Sequence, residues 1–131
     1  MLIPINIDYI DDDAFDGKIP SFITKIIFPT KMNNEIHSGY GIFCYNLSIK
    51  SVVLPGNLKY TNQGIFMNCS NLSSIIWDAW DCTSFDFNGF EGVAAKGTVK
   101  VTNPIDAEHD SAALLATLKQ KSSLPEGWTA E

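Results

Sequence analysis

Residues 43–55, FCYNLSIKSVVLP, and residues 66–78, FMNCSNLSSIIWD, decide the fold when one is set above the other. Each opens on a phenylalanine, and nine residues later each reaches an aliphatic residue, Val52 or Ile75, inside a short apolar run. The same offset of nine separates Phe90 from Val99, and an offset of eleven, a two-residue insertion, separates Phe15 from Ile26. The four phenylalanines stand in turn-like contexts, DDDAF, GYGIF, NQGIF and DFNGF, 28, 23 and 24 residues apart. Self-similarity at a period in the ~20–29 range is the signature of a solenoid.

Within the runs the pattern is apolar-x-x-apolar-x-apolar: Ile23, Ile26, Phe28; Ile49, Val52, Leu54; Leu72, Ile75, Trp77. The fourth copy keeps Val99 and Val101. The last two residues of each set stand two apart, so they share one face of a strand. A single strand and loop cannot bury that face, whereas stacked copies form a continuous core.

The unit resembles the BspA-like leucine-rich repeat of bacterial surface proteins, whose pattern runs roughly V-x-x-I-G-x-x-A-F-x-x-C-x-x-L-x-x-I-x-I-P. Ile7, Ile10, Ala14 and Phe15 match its first half, and Phe66, Cys69, Leu72, Ile75 and Trp77 its second. Pro29 and Pro55 match its closing proline, while Asp78 replaces the third, and Ser38 and Thr61 fall where aliphatic residues are expected. The likeness covers about residues 2–103. It implies an α/β leucine-rich-repeat solenoid of about four strand-loop turns in a parallel sheet, and a protein-interaction role at a bacterial cell surface or in a secreted protein. It implies no particular chemistry, because fold alone does not set function.

Both ends of the array carry signals. Residues 2–4, LIP, read as the tail of an earlier strand, left either as a bare edge or as the continuation of upstream repeats. After GTVKVTNP the composition changes, giving residues 1–104 as the repeat array and 105–131 as a capping helix and tail. Ala112, Leu115 and Leu118, with Leu114 beside them, have helical spacing. Asp110 or Ser111 suits the N-cap, Lys119 and Lys121 suit the C-terminal dipole, and Pro125 and Gly127 stop the helix.

Composition bounds the rest. At 131 residues one domain is expected. Nine Lys, no Arg and fifteen acids give −6, which argues against a phosphate-tracking nucleic-acid binder. Hydrophobic residues make up 45% and charged residues 18%, a balance that supports a packed core. No apolar run is long enough for a membrane-spanning helix, so no membrane insertion is expected. MLIPINIDYIDDD lacks a basic region and cleavage site, so a signal peptide is absent or already removed. Cys44, Cys69 and Cys82 are odd in number and form no C-x-x-C pair, the usage of buried free thiols.

Candidate chemistry is sparse. Asp8, Asp11, Asp12, Asp13 and Asp16 with Gly17 invite a calcium reading, but the EF-hand spacing is not met, and an exposed acidic turn before Phe15 is expected. Glu108, His109 and Asp110 are adjacent and on a helix would diverge by about 100° per residue, so no catalytic cluster forms. No nucleophile elbow or phosphate loop occurs, and neither enzymatic activity nor a cofactor or metal is expected. The sequons beginning at Asn46, Asn68 and Asn71 read as turn chemistry. Phe85, Phe90 and Trp77 fall on buried repeat positions, leaving Trp80 and Phe87 as loop aromatics that a carbohydrate ligand would use.

One row remains. Ile27, Val53, Ile76 and Lys100 lie between the inward residues of their strands and would form a ladder on the outer sheet face. Exposed contiguous apolar surface marks interaction sites, although β-branched residues also favour strands wherever they point. The sequence therefore predicts a non-enzymatic binding module with a protein partner, host or bacterial. A structural cap of a longer repeat protein and a carbohydrate-binding module using Trp80 are the alternatives. Self-association is expected through the N-terminal edge or the sheet face.

Overall fold

The structure, a computed structural model, describes residues 1–7, 9–32, 37–38, 40–56, 58–61 and 64–131. Its elements are β1 (Tyr9–Ile10), β2 (Lys25–Ile27), β3 (His37–Ser38), β4 (Ser51–Leu54), β5 (Tyr60–Thr61), β6 (Ser74–Asp78), β7 (Ser84–Phe85), β8 (Thr98–Thr102), α1 (Ser111–Lys121) and β9 (Thr129–Ala130).

The four main strands and the short β9 form one parallel sheet ordered β2-β4-β6-β8-β9. Parallel neighbours need a crossover, and here each crossover is one turn of the coil. Its register aligns Ile26 with Val52, Ile75 and Val99, the residues that the offset from phenylalanine selects, eleven for the first and nine for the other three. Those four side chains are fully buried, as are Leu54 and Trp77 beside them. On another side of the coil two short parallel pairs form, β1 with β3 and β5 with β7.

The phenylalanine turns close the coil. Phe15, Phe43, Phe66 and Phe90 stack with ring centroids 5.4, 5.2 and 5.7 Å apart. Each Phe N–H donates to the carbonyl just before the next phenylalanine: Phe15 to Ile42, Phe43 to Ile65, Phe66 to Gly89. Two residues after each ring the backbone turns left-handed, at Gly17, Tyr45, Asn68 and Gly92, with φ between 59° and 77°. Tyr45 and Asn68 hold that uncommon conformation while their N–H groups donate to Met67 and Glu91 of the following turn.

Departures from the repeat pattern are accommodated by hydrogen bonds. Thr61 is buried where an aliphatic residue was expected, and its Oγ1 accepts from the Asp86 N–H at 3.1 Å. Asp78, in place of the third proline, accepts from Thr102 Oγ1 and Asn103 Nδ2. Asn46, the first sequon residue, is buried; it accepts from Ile19 N and donates to the Phe15 and Phe43 carbonyls, so it bolts two turns together. Ser38 lies in β3, and its side chain, with that of His37, falls outside the described residues, as does Asp8.

At the first edge Leu2 bridges Ile27 in parallel, with Ile3 N donating to Ile27 O and Ile27 N to Met1 O. The strand-tail reading of LIP therefore describes its pairing. At the other edge the helix forms with Asp110 as its N-cap, accepting from Ala113 N at 2.8 Å, and with Lys119 and Lys121 in its last turn. Two details differ from expectation. Ala112 is exposed, and the buried stripe is Leu114 and Leu118, flanked by partly buried Ala113 and Leu115. The closure is also more than a helix: β9 pairs with β8, and the Phe90 N–H donates to Ser122 O. Ser122 thus takes the place that the residue before the next phenylalanine holds in the earlier turns. Gly97 is required here, since a Cβ would collide with the Ser73 carbonyl and the Trp128 indole.

Candidate functional site

The register sets Ile27 beside Val53, Val53 beside Ile76 and Ile76 beside Lys100. Alternation along each strand turns these residues away from the core, and they are half-buried except for Lys100, which is exposed. The row is longer than expected. Leu2, 75% exposed, pairs with Ile27 at one end, and Glu131 lies beside Lys100 at the other, its N–H donating to Val99 O. Sequence reasoning missed both because they come from the segments outside the four clear repeats.

Trp80 lies in the loop between β6 and β7 but does not present its ring to solvent. It is 6% exposed, packs edge-on to Phe85 at 6.2 Å and lies under the His109 ring at 4.7 Å. Residues that interrupt the repeat fold over its flank, and a large indole there is drawn into the apolar layer. Phe87, 77% exposed, is left without the partner ring that the carbohydrate reading requires.

The remaining polar clusters satisfy themselves. His109 Nδ1 meets Asp106 Oδ1 at 2.7 Å, and that hydrogen bond holds the exposed Asp106 below the usual carboxylate range. Asp110 is occupied by capping, so Glu108, His109 and Asp110 do not converge. In the acidic turn Asp12 accepts from Tyr40 N at 2.8 Å, while Asp13, Asp16 and Cys44 bring their ligand atoms within 4.8 Å of one another. The Cys44 thiol is hydrogen-bonded to Asp16. One thiol and two carboxylates do not form the oxygen shell that calcium takes.

A cleft of about 250 Å³ lies past the ends of the long strands, where Lys31, Asp78 and Ile105 surround the Lys59–Asp81 ion pair at 2.5 Å. It left no sequence signal because its walls come from four separate turns.

All three cysteines are free and buried. Desolvation is the leading cause that raises each thiol above its ordinary 9.0: Cys44 to about 12, helped by Asp16 and Asp13, and Cys69 and Cys82 to about 11. At pH 8 the thiolate fraction is then on the order of one in a thousand or less. Iodoacetamide at pH 8 is expected to label the unfolded chain fully while leaving the native chain unlabelled; rapid labelling of any native cysteine would contradict this burial. Because the folded values lie above the unfolded one, this stabilising contribution is intact below pH 9 and is lost as pH rises toward 11–12.

No helix among the described residues is long and apolar enough to cross a membrane. No curated protein and no solved structure matches the chain. The BspA type leucine rich repeat region, by contrast, matches residues 1–107 in six copies, two more than the phenylalanine-anchored turns alone suggest. With a parallel coil carrying that pattern over most of its length, the chain belongs to the BspA-type leucine-rich repeat family.

Proposed function

We propose that this chain is a non-enzymatic protein-binding module that meets its partner on the outer sheet face, at Ile27, Val53, Ile76 and Lys100, within a bacterial cell-surface or secreted protein. The observation that carries the reading is the continuity of the row: three aliphatic side chains in register on adjacent strands, about 4.8 Å apart. An ordinary solvated strand face alternates apolar-in with polar-out. Here it offers a stripe whose burial against a partner is favourable.

Replacing Val53 and Ile76 together by Thr keeps the branched shape and β-propensity while removing apolar character. The double variant is expected to melt within a few degrees of the parent, as surface substitutions do, yet to lose the partner that the parent captures from a bacterial or host surface extract. Equal capture by both would make the face ordinary surface and send attention to the loops.

A second reading, that the segment terminates a longer repeat array, is favoured by the closure of the last turn by α1 and β9. The two are compatible, since a terminal segment also presents a sheet face.

A further inference from the structure

The charges around the aliphatic row are segregated. Lys25 opens β2 on the outer face, Lys50 immediately precedes β4, Lys96 lies two residues before β8, and all three are exposed. Because the sheet is parallel, the starts of these strands lie along the same side. The three lysines therefore border one long side of the row, and Lys100 stands within it. Among the described residues none of the four makes an ion pair. The opposite border holds Pro29, Pro55, Asp78 and Thr102, and the Asp78 carboxylate is engaged by Thr102 and Asn103.

Most of the described acids lie elsewhere. The face and its borders carry those four lysines against Asp78 and Glu131, a balance of +2. Among the described residues the other five lysines and eleven acids leave −6 away from it, with Asp11, Asp12, Asp13 and Asp16 gathered in one turn beside the phenylalanine stack. A chain of net charge −6 thus presents a cationic border along one side of this aliphatic stripe. Potentials across an interface are complementary, and charges at the rim set orientation, partner choice and on-rate.

We propose that the occupant of the sheet face is an acidic polypeptide segment, whose aliphatic side chains cover Ile27, Val53 and Ile76 and whose Asp or Glu side chains lie along the Lys25–Lys50–Lys96 border. The inference rests on the reading of this face as the binding surface. Lysine ammonium groups act here as mobile point charges, so the border selects for charge more than for one fixed carboxylate geometry. The same charge distribution disfavours a second copy docking through its own sheet face, since two cationic borders would meet. Nucleic acid is disfavoured by the net charge of −6 on the whole chain.

The test selects displayed random linear peptides on the immobilised full chain. Three variants serve as parallel baits: K25E/K50E, K18E/K121E, which changes net charge equally using exposed lysines away from the face, and V53T/I76T. The parent and K18E/K121E are expected to enrich peptides in which Val, Ile or Leu alternates with Asp or Glu. K25E/K50E should bind the enriched peptides about tenfold more weakly, since two exposed charge pairs are replaced by repulsions, and the neutral K25Q/K50Q variant should lie between. Raising salt should weaken binding to the parent and have little effect on K25E/K50E. Enriched peptides without acidic residues, or basic peptides drawn to Asp11–Asp16, would overturn the acidic assignment and leave the sheet-face reading standing. Peptides bound equally by V53T/I76T and the parent would overturn the sheet-face reading itself.

Discussion

Phe66→Ala is expected to destabilise the protein by roughly 3–5 kcal/mol. Phe66 is fully buried at the middle of the ring stack, 5.2 Å from Phe43 and 5.7 Å from Phe90. Truncation leaves a cavity between two rings that cannot close toward each other, because each is fixed by its own backbone. The Phe43 N–H is held by Ile65 O and the Phe66 N–H by Gly89 O, so the turn spacing is set by the main chain and not by the ring alone. The cost therefore includes both the lost transfer free energy and an unrelaxed void. A domain of this size has about 5–15 kcal/mol in total, so the loss is a large share of its stability. Urea denaturation followed by circular dichroism measures it as a fall in midpoint at constant slope. Phe87→Ala, at a ring 77% exposed, is the matched control and should shift stability by less than about 0.5 kcal/mol. A Phe66→Ala midpoint equal to that of the control would show that the stack is not the core.

That stack was legible because it repeats. A constant separation between phenylalanine and strand can be read from one chain wherever the spacing is copied, and the register of Val52, Ile75 and Val99 follows from it. The inward and outward faces of the long strands follow from alternation alone. What could not be read lies where copying fails. The pairs β1–β3 and β5–β7 are two residues per strand, too short for any period, and they exist because neighbouring turns present their backbones to each other. Trp80 belongs to no repeat position, so its burial against Phe85 and His109 depends on how the flanking loop folds. Ala112 has helical spacing with the leucines, but the direction in which α1 meets β8 buries Leu114 in its place. The outer row was found as four residues and extends to six because Leu2 and Glu131 are brought in by edge pairing, which leaves no local pattern. The lysine border left no repeat signal, since Lys25, Lys50 and Lys96 share no one repeat position and become neighbours of the row only through where each strand starts.

Removing residues 105–131 is expected to abolish cooperative melting of a monomer and to give aggregation. Several losses coincide at the same edge. The β8 backbone loses the donors Thr129 N, to Gly97 O at 3.0 Å, and Glu131 N, to Val99 O at 2.8 Å. The Val101 N–H loses Ser111 Oγ at 2.8 Å, and the Phe90 N–H loses Ser122 O at 3.0 Å. Leu114, Leu118, Leu124 and Trp128, all buried, belong to the same apolar cluster as Phe90, Val99 and Val101, so the last turn loses that packing as well. Unpaired strand groups beside exposed apolar surface form an adhesive edge, and a repeat array without its cap loses solubility first. A shorter truncation after Leu124 separates the two parts of the closure. It keeps α1 but removes β9 and Trp128, whose Nε1 donates to Ala94 O at 2.7 Å. If the helix alone were the cap, this variant would melt like the parent. With strand and indole completing the last turn, it should lose about 3–5 kcal/mol, the cost of deleting a buried Trp, and still elute as a monomer. Size-exclusion chromatography with light scattering and a thermal melt read both variants. A monomeric 1–104 fragment with unchanged melting would mean that β8 is stable as a bare edge, and that the segment after it is an appendage and not the end wall of the coil.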